Sequence, residues 1–462
     1  MAEERRPLLL SVEERRRLTA AVTAFVDDFI ESLADGPASY PELTDAVTEL
    51  LLTPPSEQPS DIAPLLDRID TGLRTGFDTA AGSHLSYIPS GGVFAAALGR
   101  FIGAATNRWT GGSQAQPGAV ALEQSIVNWM RGLFGYGSDS AGVLLSGGSM
   151  ANLIATIAAR TRHGERFEAA TVYSSERAHH SVEKAAALAG IRRTNIRSVP
   201  VDARLRMDVA ELAYQMSSDQ AAGLEPMLVV ATAGTTDTGA IDSLNDCADA
   251  ASAAGAWLHV DAAYGGFFIL TDRGRSRLDG IDRADSITVD AHKSLLLPYG
   301  LGGLLVKDGA ALVEANEGRG AYMQDVLDRP AIPHFFTFGP ELSRPYRGLD
   351  VWLALNYHGV NAFRSELDRM LDMTADAVAR LRSIPTVELA VEPELTVVAF
   401  RSTKGDAASQ EIMEHLNTSN EVHVSSTTVD GRFTVRLAFL NHRTDGRHAE
   451  CATDLVAEAV TV

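Results

Sequence analysis

The sequence predicts an α/β protein whose larger part is built on a mainly parallel sheet and whose C-terminal part is a smaller α/β domain. Three apolar segments predict buried strands, and each ends abruptly in small or polar residues: 228–236, 257–266 and 285–294. Continuous runs of Val, Leu and Ala are typical of central parallel strands that are covered on both faces. Open α/β sheets bind ligands beyond the carboxyl ends of such strands, so the polar residues found there are candidate site residues.

Lys293 follows directly on the strand that ends at Asp290. The chain has 40 lysines and arginines in total, and only four are lysines: Lys184, Lys293, Lys307 and Lys404. Arginine stays protonated and does not form a Schiff base, whereas a desolvated lysine can lose its proton and attack a carbonyl. Lys293 is therefore a candidate covalent anchor for an aldehyde cofactor. The alternative is an ordinary surface lysine at a strand end.

Asp261 ends the preceding apolar strand. Pyridoxal phosphate withdraws electrons most strongly when a carboxylate keeps its ring nitrogen protonated and a lysine holds its aldehyde. The motifs His-Val-Asp-Ala-Ala-Tyr-Gly-Gly (259–266) and Asp-Ala-His-Lys (290–293) supply both groups. With these motifs the sequence resembles the pyridoxal-phosphate group II amino-acid decarboxylases, which include the aromatic-amino-acid and glutamate decarboxylases. Ala291 departs from the proline or similar small residue that is usual there.

The resemblance implies fold type I of the pyridoxal-phosphate enzymes, with a large sheet domain, a small C-terminal α/β domain and a helical N-terminal segment. We therefore predict a helical segment at 1–85, a cofactor-binding domain at 86–347 and a small domain at 348–462. The resemblance also implies a homodimer in which the N-terminal segment clasps the partner subunit. A plain helical cap on the main domain is the alternative.

Hydrophobic periodicity predicts further elements in order. Residues 11–53 predict short helices that are interrupted by prolines, and residues 118–135 predict an amphipathic helix. Beyond residue 350 the pattern predicts one long helix at about 348–382, then strands near 387–401 and 432–440 with helices between and after them.

A short apolar strand before Ser-Gly-Gly-Ser (146–149) gives way to a helix that is predicted to run through Ala159. Backbone N–H groups at a helix N-terminus bind anions, and glycines allow the close approach. The resemblance implies that Gly148 and Ser149 bind the phosphate of the cofactor.

The resemblance assigns further cofactor contacts to single residues. In the motif Ala-His-x-Ser-Val-Glu it selects His179, rather than His180, as the histidine that stacks on the cofactor ring. A helix-cap histidine is the alternative. Thr236, Ala263 and His292 complete the predicted cofactor contacts.

The predicted substrate pocket is drawn from loops. Tyr87 and Pro89 match a Tyr-x-Pro stretch of the family, and Trp109 is expected either to cross the dimer interface or to belong to the core. Together with the Phe-Phe-Thr-Phe run at 335–338, they favour an apolar or aromatic substrate. Arg436 is expected to bind a substrate carboxylate or to form a structural salt bridge.

A mobile loop at about 315–343 is predicted from its glycines, prolines and lack of periodicity. In the resembling enzymes a tyrosine of this loop protonates the product. A gapless count from the later Arg-Gly-Leu-Asp-Val-Trp motif puts Phe335 in its place, and phenylalanine cannot donate a proton. Relatives with that replacement release an aldehyde, ammonia and peroxide. Tyr322 or His334 could supply the proton in a shifted register.

The sequence therefore predicts an enzyme that decarboxylates an L-amino acid to an amine and carbon dioxide. Oxidative deamination through Phe335 is the first alternative, and an aminotransferase or desulfurase is the second; an inactive binding protein is disfavoured by Lys293. The net charge of −20 argues against nucleic acid and anionic membranes as partners. The two cysteines fit no disulfide framework or metal site. No signal peptide or spanning segment is recognised, so a cytoplasmic location is expected.

Overall fold

The computed structural model describes residues 8–34, 36–318, 320 and 332–461. Within them the helices are α1 (Val12–Ser32), α2 (Asp45–Leu52), α3 (Ile62–Leu73), α4 (Phe94–Thr106), α5 (Pro117–Leu133), α6 (Gly148–His163), α7 (Ser181–Leu188), α8 (Val209–Ala221), α9 (Leu244–Ala254), α10 (Asp272–Arg277), α11 (Gly309–Asn316), α12 (Arg347–His358), α13 (Val360–Arg382), α14 (Asp406–Ser419) and α15 (Gly446–Thr461). The strands are β1 (Ala141–Leu145), β2 (Ala170–Ser175), β3 (Ile196–Val199), β4 (Glu225–Thr232), β5 (Trp257–Asp261), β6 (Ser286–Asp290), β7 (Gly302–Val306), β8 (Val387–Leu389), β9 (Val397–Ser402), β10 (Ser425–Val429) and β11 (Arg432–Ala438).

The larger sheet has seven strands in the order β1-β7-β6-β5-β4-β2-β3. The strands from β6 across to β3 pair in parallel, whereas β7 runs antiparallel to both of its neighbours. This arrangement confirms the predicted α/β fold with a mainly parallel sheet. The carboxyl ends of β4, β5 and β6 consequently lie side by side at one edge.

The central strands of this sheet are apolar because both of their faces are covered by helices. In β4 every residue from Pro226 to Thr232 is buried, and in β6 all five residues are buried. Asp261 and Asp290 are the last residues of β5 and β6. Each of these two apolar strands therefore ends in a buried aspartate at the same edge of the sheet.

The C-terminal part contains a four-stranded antiparallel sheet in the order β10-β11-β9-β8. The single helix predicted at 348–382 is wrong, because Gly359 adopts φ 77° and separates α12 from α13. The strand predicted near 387–401 is two short strands, and Pro393 in their connection has no N–H to donate to a ladder. The polar strand β10 was not predicted.

The N-terminal helices differ from the rest of the chain, because α1, α2 and α3 contain no buried residue. Most of the exposed large apolar side chains of the described residues lie between Leu8 and Ile102. The domain boundaries after residues 85 and 347 stay predictions. Among the described helices, none is both long and apolar enough to cross a membrane.

Candidate active site

A cavity of about 320 Å³ opens at the carboxyl ends of β4, β5 and β6 and at the N-terminus of α6. All eight predicted cofactor contacts lie around it. Its lining comprises Ser146, Gly147, Gly148, Ser149, Met150, Asn152, His179, Ser181, Thr232, Gly234, Thr236, Asp261, Ala263, Tyr264, Asp290, His292 and Lys293. Five separate motifs of the sequence therefore converge on one cavity of a size that is ordinary for cofactor sites.

Lys293 lies just beyond β6, and its Nζ is 3.2 Å from Oδ2 of Asp290. Asp290 is buried and ends the strand, so the carboxylate is held rigidly beside the amine. The neighbouring His292 places Nε2 3.6 Å from the same oxygen. Burial lowers the pKa of His292, although the nearby carboxylate of Asp290 acts in the opposite direction.

Asp261 is buried at the end of β5, and both of its carboxylate oxygens accept hydrogen bonds. Oδ2 accepts from Nδ2 of Asn152 at 2.8 Å, and Oδ1 accepts from the backbone N–H of Ala263 at 3.1 Å. These two contacts fix the plane of the carboxylate. Asn152 was not predicted from the sequence, although it follows Gly148 by one turn of α6.

His179 lies in the turn that leads into α7, with Nδ1 2.7 Å from the hydroxyl oxygen of Ser181. Burial lowers the pKa of His179, and the nearby carboxylate of Asp261 acts in the opposite direction. The ring is therefore neutral at pH 7. His180 is exposed and does not line the cavity, and its ring centroid lies 4.1 Å from that of His179. The structure thus brings His179, rather than His180, to the cavity.

The N-terminus of α6 fits a phosphate group. A Cβ at Gly148 would lie 3.0 Å from Oδ2 of Asp290 and 3.1 Å from Cβ of Ala263, so the backbone can pack this closely only with glycine. The first N–H groups of a helix have no partner within the helix and favour an anion. Among the residues that line the cavity, Thr232 and Asp290 each have a buried side-chain oxygen, Oγ1 and Oδ1 respectively, without a hydrogen-bond partner. The cavity thus offers donors, a carboxylate and a lysine for pyridoxal phosphate.

The three predicted substrate-pocket residues do not line this cavity. Tyr87 is 54% exposed, and Pro89 is buried near it. Trp109 stacks on Phe336, with ring centroids 6.3 Å apart, and its indole N–H donates to the carbonyl oxygen of Leu342. The tryptophan and the phenylalanine run therefore meet each other, but not the cofactor cavity of their own chain.

The structure does not place Phe335 at the cavity either. Its side chain is 1% exposed, and its ring packs against Phe338 and under the guanidinium of Arg344, 4.9 Å away. Arg344 is itself fixed by an ion pair with Glu123 at 2.6 Å. A ring buried in this way does not reach the cavity of its own chain. Tyr322, the alternative proton donor, lies outside the described residues.

Arg436 forms no salt bridge with a described residue, and the predicted contact with a substrate carboxylate stays a prediction. Its buried guanidinium donates to the carbonyl oxygens of Tyr87, Thr236 and Asp237 and to the hydroxyl of Ser425. Arg436 therefore ties β11 of the smaller sheet to the loops beside the cavity.

The fold and the cavity together define a class of protein. A mainly parallel sheet that carries a lysine, an aspartate, a histidine and a helix N-terminus around one cavity is the arrangement of a pyridoxal phosphate-dependent enzyme of fold type I.

Comparison with a family model gives the particular family. The conserved domain of the pyridoxal-dependent decarboxylases matches residues 47–403. The chain belongs to this family and is a pyridoxal phosphate-dependent amino-acid decarboxylase.

Three known proteins show how far the similarity extends. The chain is 31% identical to aromatic-L-amino-acid decarboxylase of Bacillus atrophaeus, over 95% of this chain and 93% of the relative. Oryza sativa TDC, solved with pyridoxal phosphate and tryptamine, superposes with a TM-score of 0.93 at 26% identity and 99% coverage of both chains. Rhodiola rosea 4-hydroxyphenylacetaldehyde synthase has a TM-score of 0.90 at 22% identity, covering 98% of this chain and 99% of the synthase. That last likeness shows the fold alone.

Proposed function

We propose that this enzyme removes the carboxylate of an L-amino acid with an apolar or aromatic side chain and releases the amine and carbon dioxide. The observation that carries the proposal is the convergence of Asp261, Lys293 and His179 with the N-terminus of α6 on one cavity. The relatives that act on aromatic amino acids support the substrate class.

Lys293 and Asp261 hold opposite ends of the cofactor in this proposal. Lys293 binds the aldehyde, and the contact with Asp290 keeps its amine at the cavity wall. Asp261 keeps the ring nitrogen protonated, and Asn152 and Ala263 keep its carboxylate oriented. When bound, pyridoxal phosphate accepts the electrons that carbon dioxide leaves behind. Gly148 and Ser149 bind the phosphate, and Thr236, Ala263 and His292 complete the contacts.

His179 lines the cavity, where it would contact the ring of the bound cofactor and orient the substrate. Because its ring is neutral at pH 7, it covers the cofactor without adding a charge to the face where the carboxylate departs. A bond breaks most easily when it stands perpendicular to the plane of the conjugated ring that accepts its electrons. Orientation of the substrate therefore contributes directly to the rate of decarboxylation.

Release of an amine is favoured over the oxidative alternative by the position of Phe335. The alternative requires that this phenylalanine replace a proton donor at the site, and the ring is buried beneath Arg344 instead. The proton source then belongs to the predicted loop, which includes residues outside the described ranges.

A homodimer is supported by α4, whose amphipathicity is inverted. Its small residues face the interior, whereas Phe94, Leu98, Phe101 and Ile102 are exposed at a spacing that puts them on one helical face. Exposed apolar patches of this kind mark protein interaction surfaces. Since α1 to α3 also lack buried residues, a second copy of the chain would cover both regions and complete the substrate pocket.

The test is to incubate the holoenzyme in air with a panel of L-amino acids and measure carbon dioxide, amine, ammonia and peroxide together. The expected result is carbon dioxide with an equal amount of amine and no peroxide, fastest with an aromatic substrate. Peroxide and ammonia in proportion to carbon dioxide would replace this proposal by the oxidative one. Fastest turnover of a charged amino acid would refute the substrate class.

A further inference from the structure

A set of polar side chains in two buried strands connects with both Asp261 and His179. Trp257 and His259 point to the same side of β5 as Asp261, because alternate residues of a strand share a face. Ser286 and Thr288 of β6 bond to this set, and Asn152 reaches it from α6. Polar residues at alternate positions of apolar strands are costly unless they are paired, so the set is ordered by its hydrogen bonds.

The chemistry of the first groups fixes the direction of their bonds. The indole N–H of Trp257 can only donate, and it donates to Oγ of Ser286 at 2.8 Å. Oγ of Ser286 lies 2.8 Å from Nδ1 of His259, and its hydroxyl donates to that nitrogen when the ring proton lies on Nε2. Burial lowers the pKa of His259 to about 4. At neutral pH its ring therefore carries one proton.

The carboxylate of Asp261 determines how the amide of Asn152 is oriented, because it accepts from the amide nitrogen. The amide oxygen then faces Nε2 of His259, so the ring proton lies on Nε2. Nε2 of His259 donates to Oδ1 of Asn152 at 3.1 Å, and the hydroxyl of Thr288 donates to the same oxygen at 2.8 Å. The amide nitrogen faces the other side, where it donates to Asp261 at 2.8 Å and to Oγ of Ser181 at 3.1 Å. A flipped amide would place two acceptors against each other at Asp261.

Ser181 connects Asn152 to His179 by hydrogen bonds. Its oxygen accepts the amide proton of Asn152, and its hydroxyl lies 2.7 Å from Nδ1 of His179, where it can donate. The backbone N–H of Ser181 points to the same nitrogen at 3.3 Å. Nδ1 of the neutral ring is thus an acceptor, and the ring proton lies on Nε2.

We propose that Asn152 is a positioning residue for both site groups: it holds the carboxylate of Asp261 directly and sets the tautomer of His179 through Ser181. The proposal rests on the roles given above to Asp261 and His179. It predicts two effects that can be measured separately: the Asp261 branch, which is the direct bond from Asn152, and the His179 branch, which runs through Ser181. Loss of Asn152 affects both branches. Loss of the Ser181 hydroxyl affects the His179 branch alone, because Asp261 keeps its bond from Asn152.

The experiment compares Asn152→Leu and Ser181→Ala with the matched control Thr156→Val. Thr156 is buried one turn further along α6, and its hydroxyl donates only to the backbone oxygen of Asn152. Each apoprotein is titrated with pyridoxal phosphate, and the ring nitrogens of His179 are followed by ¹⁵N NMR, assigned by their loss in His179→Gln. Asn152→Leu should weaken cofactor binding at least about tenfold, or ~1.4 kcal/mol, and mix the two tautomers. Ser181→Ala should shift the ring nitrogens with a much smaller loss of affinity than Asn152→Leu, and Thr156→Val should change neither readout.

Three outcomes overturn the proposal: cofactor affinity of Asn152→Leu equal to that of Thr156→Val, an unchanged His179 spectrum in Asn152→Leu, or a loss of affinity in Ser181→Ala as large as in Asn152→Leu. A buried amide with only a structural role would lower the Tm and leave both readouts unchanged. Asn152→Ala replaces Asn152→Leu if the larger side chain prevents folding. No turnover is measured, so failure of the decarboxylase assay is distinguishable from failure here.

Discussion

The cofactor wall of the cavity and the outward face of α4 are built in opposite ways. At the wall, polar groups such as Asp261, Asn152 and His259 are buried and are satisfied within one chain. On α4, Phe101 is 58% exposed and its apolar neighbours Leu98 and Ile102 are exposed as well. The polar groups of the wall find their partners within one chain, whereas the proposed dimer would cover the apolar face of α4 with a second copy.

The largest expected effect is at the wall, with Lys293→Ala. Without the amine the aldehyde has no covalent partner, so turnover and the visible absorbance of the bound cofactor should both be lost. Absorbance spectra and the carbon dioxide assay measure this. Lys293→Arg should fail equally, since it keeps the charge but not the chemistry. Lys184→Ala, an exposed lysine on α7, should behave as wild type; a retained band in Lys293→Ala would contradict the anchor.

Asp261→Asn should retain folding but lower kcat by far more than about tenfold, or roughly 1.4 kcal/mol of barrier. A neutral amide does not hold the ring nitrogen protonated. Steady-state kinetics on the loaded enzyme check this, and a loss smaller than tenfold would argue against the role of Asp261.

The two histidines offer an internal control on the same wall. His179→Ala should lower kcat far more than His180→Ala, because only His179 lines the cavity. Steady-state kinetics of the two variants make the comparison, and the reverse ranking would show that the wrong histidine was chosen.

Phe101→Asp tests the exposed apolar face of α4. A charge on the exposed apolar stripe of α4 should weaken self-association at least about tenfold, or ~1.4 kcal/mol, and lower turnover with it, while the isolated chain still forms the Lys293 adduct. Sedimentation and absorbance spectra measure the two effects. Tyr214→Asp is the control, since Tyr214 is a 67% exposed aromatic residue of α8. A fully active wild-type monomer would refute the dimer.

Phe335→Tyr should change stability rather than product. A hydroxyl added at this fully buried ring meets packed side chains, which lowers the Tm. The ratio of amine to peroxide should stay as in wild type, as measured in the aerobic assay. A shift of products toward amine would show that Phe335 helps to decide which product is released.

The smallest expected effect is a pH dependence of stability at the wall. The pKa of His259 is about 4 in the folded chain and near 6.5 when unfolded, so the unfolded chain binds more protons between these values. Stability is therefore lost as the pH falls from 6.5 to 4. In His259→Asn the Tm should fall less steeply over that range. His84 and His442, whose pKa burial also lowers to about 4, keep the remaining dependence. Identical slopes would contradict a buried neutral His259.

The sheet and the cofactor residues were predictable because their signals are local. Parallel strands end at one edge, so Asp261 and Lys293 at successive strand ends had to lie near each other. A Gly-rich turn before a helix predicted the position of Gly148 for the same reason. Asn152 was missed because its role depends on how α6 packs over β5 and β6. The alternation of polar residues at 257, 259 and 261 was the signal that could have found it.

The substrate side was less predictable. A gapless count along a loop located Phe335 by number, but the burial of its ring under Arg344 depends on contacts distant in sequence. Tyr87 and Trp109 were selected by resemblance, and neither reaches the cavity of its own chain. Tyr87 is still 54% exposed in the described chain. Contacts that cover such a surface come from residues distant in sequence or from another chain, and a local sequence pattern does not predict them.

The scarcity of lysine has a consequence for chemical selectivity. Pyridoxal phosphate is an aldehyde that condenses with any neutral amine, and Lys184, Lys307 and Lys404 are the other lysines of the chain, all of them exposed. Arginine carries most of the surface positive charge without offering such an amine. Only Lys293 combines partial burial with a carboxylate 3.2 Å away. Borohydride trapping of the intact enzyme should therefore mark essentially one peptide, and the surface offers few side adducts that would divert cofactor from the site.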